Sequence, residues 1–313
     1  MMIDVENAAC SRRYRYANLT VFFLLGCQSH TDRLLTLQEG LASGQFKVRE
    51  TGTIGHVVVE NTSSRGVLLQ SGDIIKGGKQ DRVIRHDQVI EPHSGQVTVS
   101  VYCVEAGRWN KRADGDEAGF TEATDQVTSR TARLAIKRKN NQFEVWNEVS
   151  TTQTRLSQTL QHKVTSPLST TSLQLTLEHD QVRNSISPYI DFLASTVERY
   201  ANPLGVVFAI NGQFTGIEVY PSHELFLKVW PRLLKAAAIE AVAEFEADHN
   251  RVAPTTDDCV EFVLSINTGS QMPHQTQETG QVQVMEWETP TGSFFETKSI
   301  PTQEWIHRSF VAK

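Results

Sequence analysis

The sequence predicts an α+β fold in which a mainly antiparallel, β-rich N-terminal half packs against a helix-rich C-terminal half. Two observations point there. Between Phe46 and Trp109, short runs rich in β-branched residues recur between turn residues, the pattern of consecutive antiparallel strands. From Val127 onward most apolar residues return at helical intervals instead. Strands and helices gathered in blocks, rather than alternating, define the α+β class. The chain is expected to form a single domain over 1–313, with a β-rich portion at 17–109, a loop at 110–125 and a helix-rich portion at 126–313.

Taken in order, Leu19–Gly26, LTVFFLLG, is rich in β-branched and aromatic residues and reads as a strand buried on both faces. A competing reading joins Ser11-Arg12-Arg13, this run and Cys27 into a lipoprotein-type export signal. Asp4 and Glu6 ahead of it, and Asn18 and Thr20 within it, weigh against export. Thr31–Gly44 reads as a capped helix, with Leu34, Leu35, Leu37 and Leu41 on one side and Gly44 ending it. Strands are then expected at Lys47–Glu50, His56–Glu60, Gly66–Leu69, Arg82–Ile84, Gln88–Ile90 and Val97–Val104, as a sandwich or rolled sheet. Asn110–Asp125 is polar and rich in Gly and Asp, which predicts a long loop, either a functional lid or a disordered segment.

Helical spacing resumes over Val127–Leu160, broken near Asn140-Asn141. Its first part carries Arg130, Arg133, Lys137, Arg138 and Lys139, read as a solvated face before any phosphate contact. Its second part carries Phe143, Trp146 and Val149, with Trp146 read as core or as the edge of a site. A Ser/Thr-rich connector at Thr165–Thr171 precedes helices at Ser172–His179 and Ser187–Tyr200. Two apolar runs then meet at Asn211-Gly212, the preferred type I′ turn of a two-residue hairpin. The helix from Ser222 meets Pro231, which either starts a second helix or kinks one. An apolar run follows at Cys259–Ile266, and Gln281–Glu288 with Ser293–Ser299 forms a closing hairpin.

At 313 residues, 39% hydrophobic and 21% charged, the composition is that of an ordinary globular protein. A net charge of −6 and a pI near 5.9 weigh against a nucleic-acid-binding surface. No apolar run approaches the ~20 residues of a membrane-spanning helix. The four cysteines, Cys10, Cys27, Cys103 and Cys259, form no CxxC pair, so neither a disulfide framework nor a zinc ribbon is indicated and a reducing, cytoplasmic setting fits.

Chemistry concentrates in Gly72–Arg82, GDIIKGGKQDR, and Val97–Trp109, VTVSVYCVEAGRW. A Gly77-Gly78 turn can offer two backbone N–H groups to an anion, with Lys76, Lys79, Arg82 and Arg108 as counter-charge. Gln80 and Trp109 complete the candidate ligand-binding set, and Asp81 and Glu105 are the candidate general bases. The segment matches neither the GxxxxGK[ST] phosphate loop nor the GxGxxG fingerprint. Cys103 reads as a small buried hydrophobe rather than a nucleophile. His86, Asp87, Glu91 and His93 lack metal-ligand spacing, and no metal is assigned. Each motif residue also has a structural reading: Asp73 capping a turn, or Arg82 bridged to a carboxylate such as Glu105.

Glu60-Asn61, Gly72-Asp73, Gly77–Arg82 and Cys103–Trp109 together resemble a bacterial family, the ADP-ribosylglycohydrolase- and rhodanese-phosphatase-associated protein domain. The similarity extends to Gln142–Trp146, Gly205–Glu218 and Trp305–Phe310, with Glu218 standing where an aspartate is usual. The resemblance implies a genomic setting near ADP-ribose and phosphate chemistry and brings no established reaction with it. Two functions stay open. One is recognition or hydrolytic processing of a phosphate-bearing, nucleotide-like small molecule of the ADP-ribose or NAD type at a pocket formed by the two motifs. The other is a non-catalytic structural or interaction module whose motif residues form a buried polar network. The sequence assigns no cofactor, no particular substrate and no oligomeric state.

Overall fold

The computed structural model describes residues 9–27, 34–107, 119–126, 129–138, 141–246, 252–267 and 273–313. It is an α+β structure built on mainly antiparallel sheets, and it divides into two compact units, Arg33–Ser185 and Met1–Asp32 with Ile186–Lys313. No helix of the described residues is long and apolar enough to cross a membrane.

The Arg33–Ser185 unit is organised around a closed barrel of six strands, Phe46–Glu50, His56–Asn61, Asp73–Gly77, Arg82–Ile84, Gly95–Cys103 and Gly119–Gln126. Alternation decides what fills it. Phe46 and Val48 on one strand, and Val57 and Val59 on the next, point inward with Ile75, Ile84, Val99 and Val101, while Lys47 and Arg49 face solvent. A three-stranded sheet of Leu35–Thr36, Val67–Leu69 and Gln88–Ile90 adds Leu69 and Ile90 to the same core. Helices Leu37–Ala42, Arg130–Arg138, Gln142–Thr159 and Leu173–Leu177 also belong to the unit.

The other unit is a nine-stranded sheet. Leu19–Leu25 lies inside it, paired on one side with Pro203–Ile210 and on the other with Ala9–Cys10 and Tyr14–Tyr16. That placement explains an apolar run without alternation: six of its seven residues are buried. Phe22 and Leu24 pack with Val207, Ile217, Val263 and Phe310 on one face, and Phe23 meets Phe226 and Trp230 of the helix His223–Ala243 on the other.

The Asn211-Gly212 hairpin has φ of 51° and 78° at its two central residues, as a type I′ turn requires. Pro231 lies within the one continuous helix His223–Ala243 and starts no second one.

Several expectations are corrected. Residues 110–118 of the predicted 110–125 loop lie outside the described ones, and its remainder falls in a barrel strand, Gly119–Gln126. Two register shifts against Asp73–Gly77 break its alternation, and Phe120 is its one large apolar residue, so no period-2 signal survives. The helix expected over Thr31–Gly44 is confined to Leu37–Ala42. Thr36 caps it, accepting from the Glu39 N–H while Glu39 accepts from the Thr36 N–H, and Leu35–Thr36 is strand. Alongside the helices of the 126–313 portion, Gln275–Thr279, Val282–Thr289, Gly292–Ser299 and Trp305–Ala312 form one antiparallel run, of which the sequence predicts only the central hairpin.

Candidate functional site

At one end of the barrel the apolar interior gives way to polar groups. Arg82 stands in register with Cys103 and Ile75, on the inward face that Ile84 continues. It is wholly buried and among the bulkiest buried side chains of the described residues. Glu50 ends the Phe46–Glu50 strand on the same inward face, two residues beyond Val48. Its side chain is 4% exposed. Arg82 Nη2 donates to both Glu50 carboxylate oxygens, at 3.3 and 3.2 Å, and Nη1 donates to Gln80 Oε1 at 3.1 Å and to Cys103 Sγ at 2.7 Å. The bridge expected to Glu105 is therefore made to Glu50, which no sequence signal had singled out.

The remaining motif groups close around this pair. Cys103 Sγ donates to Gln80 Oε1 at 2.9 Å, and Gln80 Nε2 donates to the Glu105 carbonyl at 3.0 Å. Burial pushes the Cys103 thiol up to about 11, against the pull of Arg82, so it is a neutral thiol in the network. The Gly77 N–H donates to Asp81 Oδ1, the Gly78 N–H to the Gly119 carbonyl, and the Lys79 N–H to Glu50 Oε2. The two glycines are required by close packing. A Cβ on Gly77, at φ +136°, would lie 2.6 Å from the Gly119 carbonyl oxygen, and one on Gly78 would lie 2.7 Å from Phe120 Cζ and 2.9 Å from Glu50 Oε2.

The second motif is clamped from outside the barrel. Gln142, at the start of the Gln142–Thr159 helix, donates from Nε2 to the Cys103 carbonyl and accepts at Oε1 from the Cys103 N–H, both at 2.8 Å. The Leu173 N–H donates to the Val104 carbonyl, and Thr171 Oγ1 donates to the Ala106 carbonyl. Asp73 accepts from the Gln70 N–H through Oδ2 and so shapes the turn before its strand.

Arg82, Gln80, Asp81 and Glu105 are thus brought together, with Asp81 and Glu105 at 1% and 0% exposure. Arg108 and Trp109 lie outside the described residues. Lys79 is partly exposed. Sequence reasoning missed Glu50 and Gln142; the one available signal was that Gln142 opens a stretch shared with the family. In the other unit, Glu218 holds His307 Nε2 through Oε2 at 2.7 Å beneath the Tyr220 ring. No group of three or more His, Cys, Asp or Glu side chains among the described residues could hold a metal ion.

The fold and this interior network define a class: an α+β protein carrying its most distinctive residues inside a small barrel rather than on its surface. The chain belongs to the family described as the ARG and Rhodanese-Phosphatase-superfamily-associated Protein domain, whose family model matches residues 8–311. No curated protein and no solved structure matches the chain.

Proposed function

We propose that this chain is a non-catalytic recognition or interaction module, and that GGKQDR and CVEAG are its internal frame. The observation that carries this reading is the fate of the anion-binding groups. The Arg82 charge is met by Glu50 inside the barrel, and the N–H groups of Gly77, Gly78 and Lys79 all donate to protein acceptors. A phosphate at that turn would have to displace Glu50 and Asp81, both carboxylates. A general base must also reach its substrate, and Asp81 and Glu105 are sealed from solvent. A structural network makes the same demands on residue type, because buried polar groups persist only when bonded.

The test pairs calorimetric titration of the wild type against ADP-ribose, NAD and nucleoside phosphates with chromatography of the same mixtures. The frame reading expects no turnover of any of these compounds. Hydrolysis of one of them, lost in a folded Asp81→Asn or Glu105→Gln variant, would overturn it and restore the motif pocket as a reaction centre.

A further inference from the structure

Two thiols that the frame does not use meet in the unit built on the nine-stranded sheet. Cys10 belongs to Ala9–Cys10, which stands at one end of that sheet and pairs with Leu19–Leu25, and Cys259 lies in the helix Thr256–Asn267. They are 249 positions apart in sequence, yet Cys259 Sγ donates to Cys10 Sγ at 3.2 Å. Both are free. A disulfide holds its sulfurs at about 2.05 Å, so an approach of about 1 Å separates this contact from a bond.

The two sulfurs are not equivalent. Cys259 is wholly buried in the apolar cluster with Val263, Ile266, Phe294 and Phe310, whereas Cys10 packs at the margin of that cluster and is partly exposed. Donation from Cys259 lowers the Cys10 pKa against the opposing effect of burial, and the same bond, with burial, pushes Cys259 up. The more accessible sulfur is therefore the one that more readily becomes a thiolate, the reactive form. The contact also sits on a seam. Arg13 Nη1 donates to the Ala253 and Pro254 carbonyls at 3.1 and 3.4 Å, and Thr256 Oγ1 donates to the Ser11 carbonyl at 3.4 Å. These bonds and the thiol pair hold the end strand and the residues after it to the start of the helix, and a sheet edge is guarded by whatever is fastened over it.

We propose that Cys10 and Cys259 form a hydroperoxide-sensitive latch whose disulfide pins the end strand of the sheet to the Thr256–Asn267 helix. The Cys10 thiolate attacks one peroxide oxygen. An S–O bond forms, the O–O bond breaks, and the leaving hydroxide takes a proton from solvent, which makes Cys10 a sulfenic acid. Cys259 then attacks the Cys10 sulfur. The S–S bond forms as the S–O bond breaks, and the departing hydroxide carries off the Cys259 proton as water. Two thiols are oxidised and one peroxide is reduced to two waters. A dithiol reductant reopens the latch by exchange. Both sulfurs belong to the unit that does not carry the frame, so the latch stands or falls independently of the proposed function.

The experiment exposes the full chain to hydrogen peroxide, in a Cys27→Ser background that removes an exposed competing thiol. Peptide mapping should find Cys10 joined to Cys259 and the bond undone by dithiothreitol. Amide exchange over residues 9–13 and 253–259 should be slower in the oxidised protein than in the reduced one. In Cys259→Ser, Cys10 should stop at the sulfenic acid and be labelled by a cyclic-dione probe. In Cys10→Ser, Cys259 should be labelled about ten-fold more slowly, because it is buried and its thiolate is disfavoured. Absence of the crosslink would overturn the proposal, as would equal labelling of the two sulfurs or equal exchange in the two forms. The crosslink and exchange measurements keep both cysteines in place, so they decide the matter even if a cysteine variant fails to fold.

Discussion

Replacing Glu50 by glutamine removes one charge from a buried pair at nearly constant shape. The Arg82 guanidinium would stay at 0% exposure opposite a neutral amide. Breaking a buried pair by altering one partner costs about 3–5 kcal/mol. The geometry places this case in the upper part of that range. Both Glu50 oxygens are acceptors, Oε1 for the Thr51 and Gly52 N–H groups and Oε2 for the Lys79 N–H, besides Arg82. An amide nitrogen in either position therefore turns a donor against a donor. Since domains are stable by only about 5–15 kcal/mol, the variant should lose a third or more of its folding free energy. Urea denaturation of wild type, Glu50→Gln, Arg82→Met and the double variant gives the cycle. The double variant should recover much of the loss, because removing both charges spares the orphaned one, with a coupling energy above about 2 kcal/mol. A Glu50→Gln protein within about 1 kcal/mol of wild type would behave as a surface bridge does, and the frame reading would fall.

Gly77→Ala should cost about 2–5 kcal/mol, from a positive φ and a contact with strand backbone that cannot yield. Gly72→Ala, at φ +97° but with open space around the added carbon, should cost about 1 kcal/mol; equal losses in thermal melts would show that packing at Gly77 is not the cause. His86 is buried, and desolvation, helped by Arg85 and Lys137 and opposed by Asp87, lowers its pKa from 6.5 to about 4. Between those values the unfolded chain binds more protons, so stability is retained above pH 6.5 and falls as the pH drops through the window. The total is roughly 3 kcal/mol. His86→Phe should flatten that slope in denaturant titrations at successive pH values, and an unchanged slope would exclude His86 as its source. Cys10 and Cys259 are free thiols with sulfurs 3.2 Å apart. Oxidised glutathione should therefore link them by thiol–disulfide exchange, seen in peptide mapping as a crosslink absent in Cys10→Ser.

Much of the barrel was legible because its strands obey local rules. Arg82–Ile84 in the barrel and Gln88–Ile90 in the three-stranded sheet beside it lie where β-branched runs between turns place them, and Asn211-Gly212 turned the chain as its backbone preferences require. Asp73–Gly77 leaves little strand signal, because Asp73, Lys76 and Gly77 surround its two core residues, Ile74 and Ile75. Gly119–Gln126 escaped because its register shifts erase the pattern a strand leaves in sequence. In the candidate site the concentration of polar residues in the two motifs was legible. Their orientation was not. Whether an arginine at a strand end faces solvent or core depends on a partner such as Glu50, far away in sequence and attached to no motif.

The strand Leu19–Leu25 and its neighbour Pro203–Ile210 belong to one sheet, yet the whole Arg33–Ser185 unit is written between them. During synthesis at about 5–20 residues per second, the apolar strand is exposed for roughly ten to forty seconds before that partner is made. The inserted unit draws every barrel strand from within its own span, so it can close while the first strand still waits. Gene order thus imposes a delay on the outer unit, and the aggregation-prone interval of this chain is measured by the length of its insert.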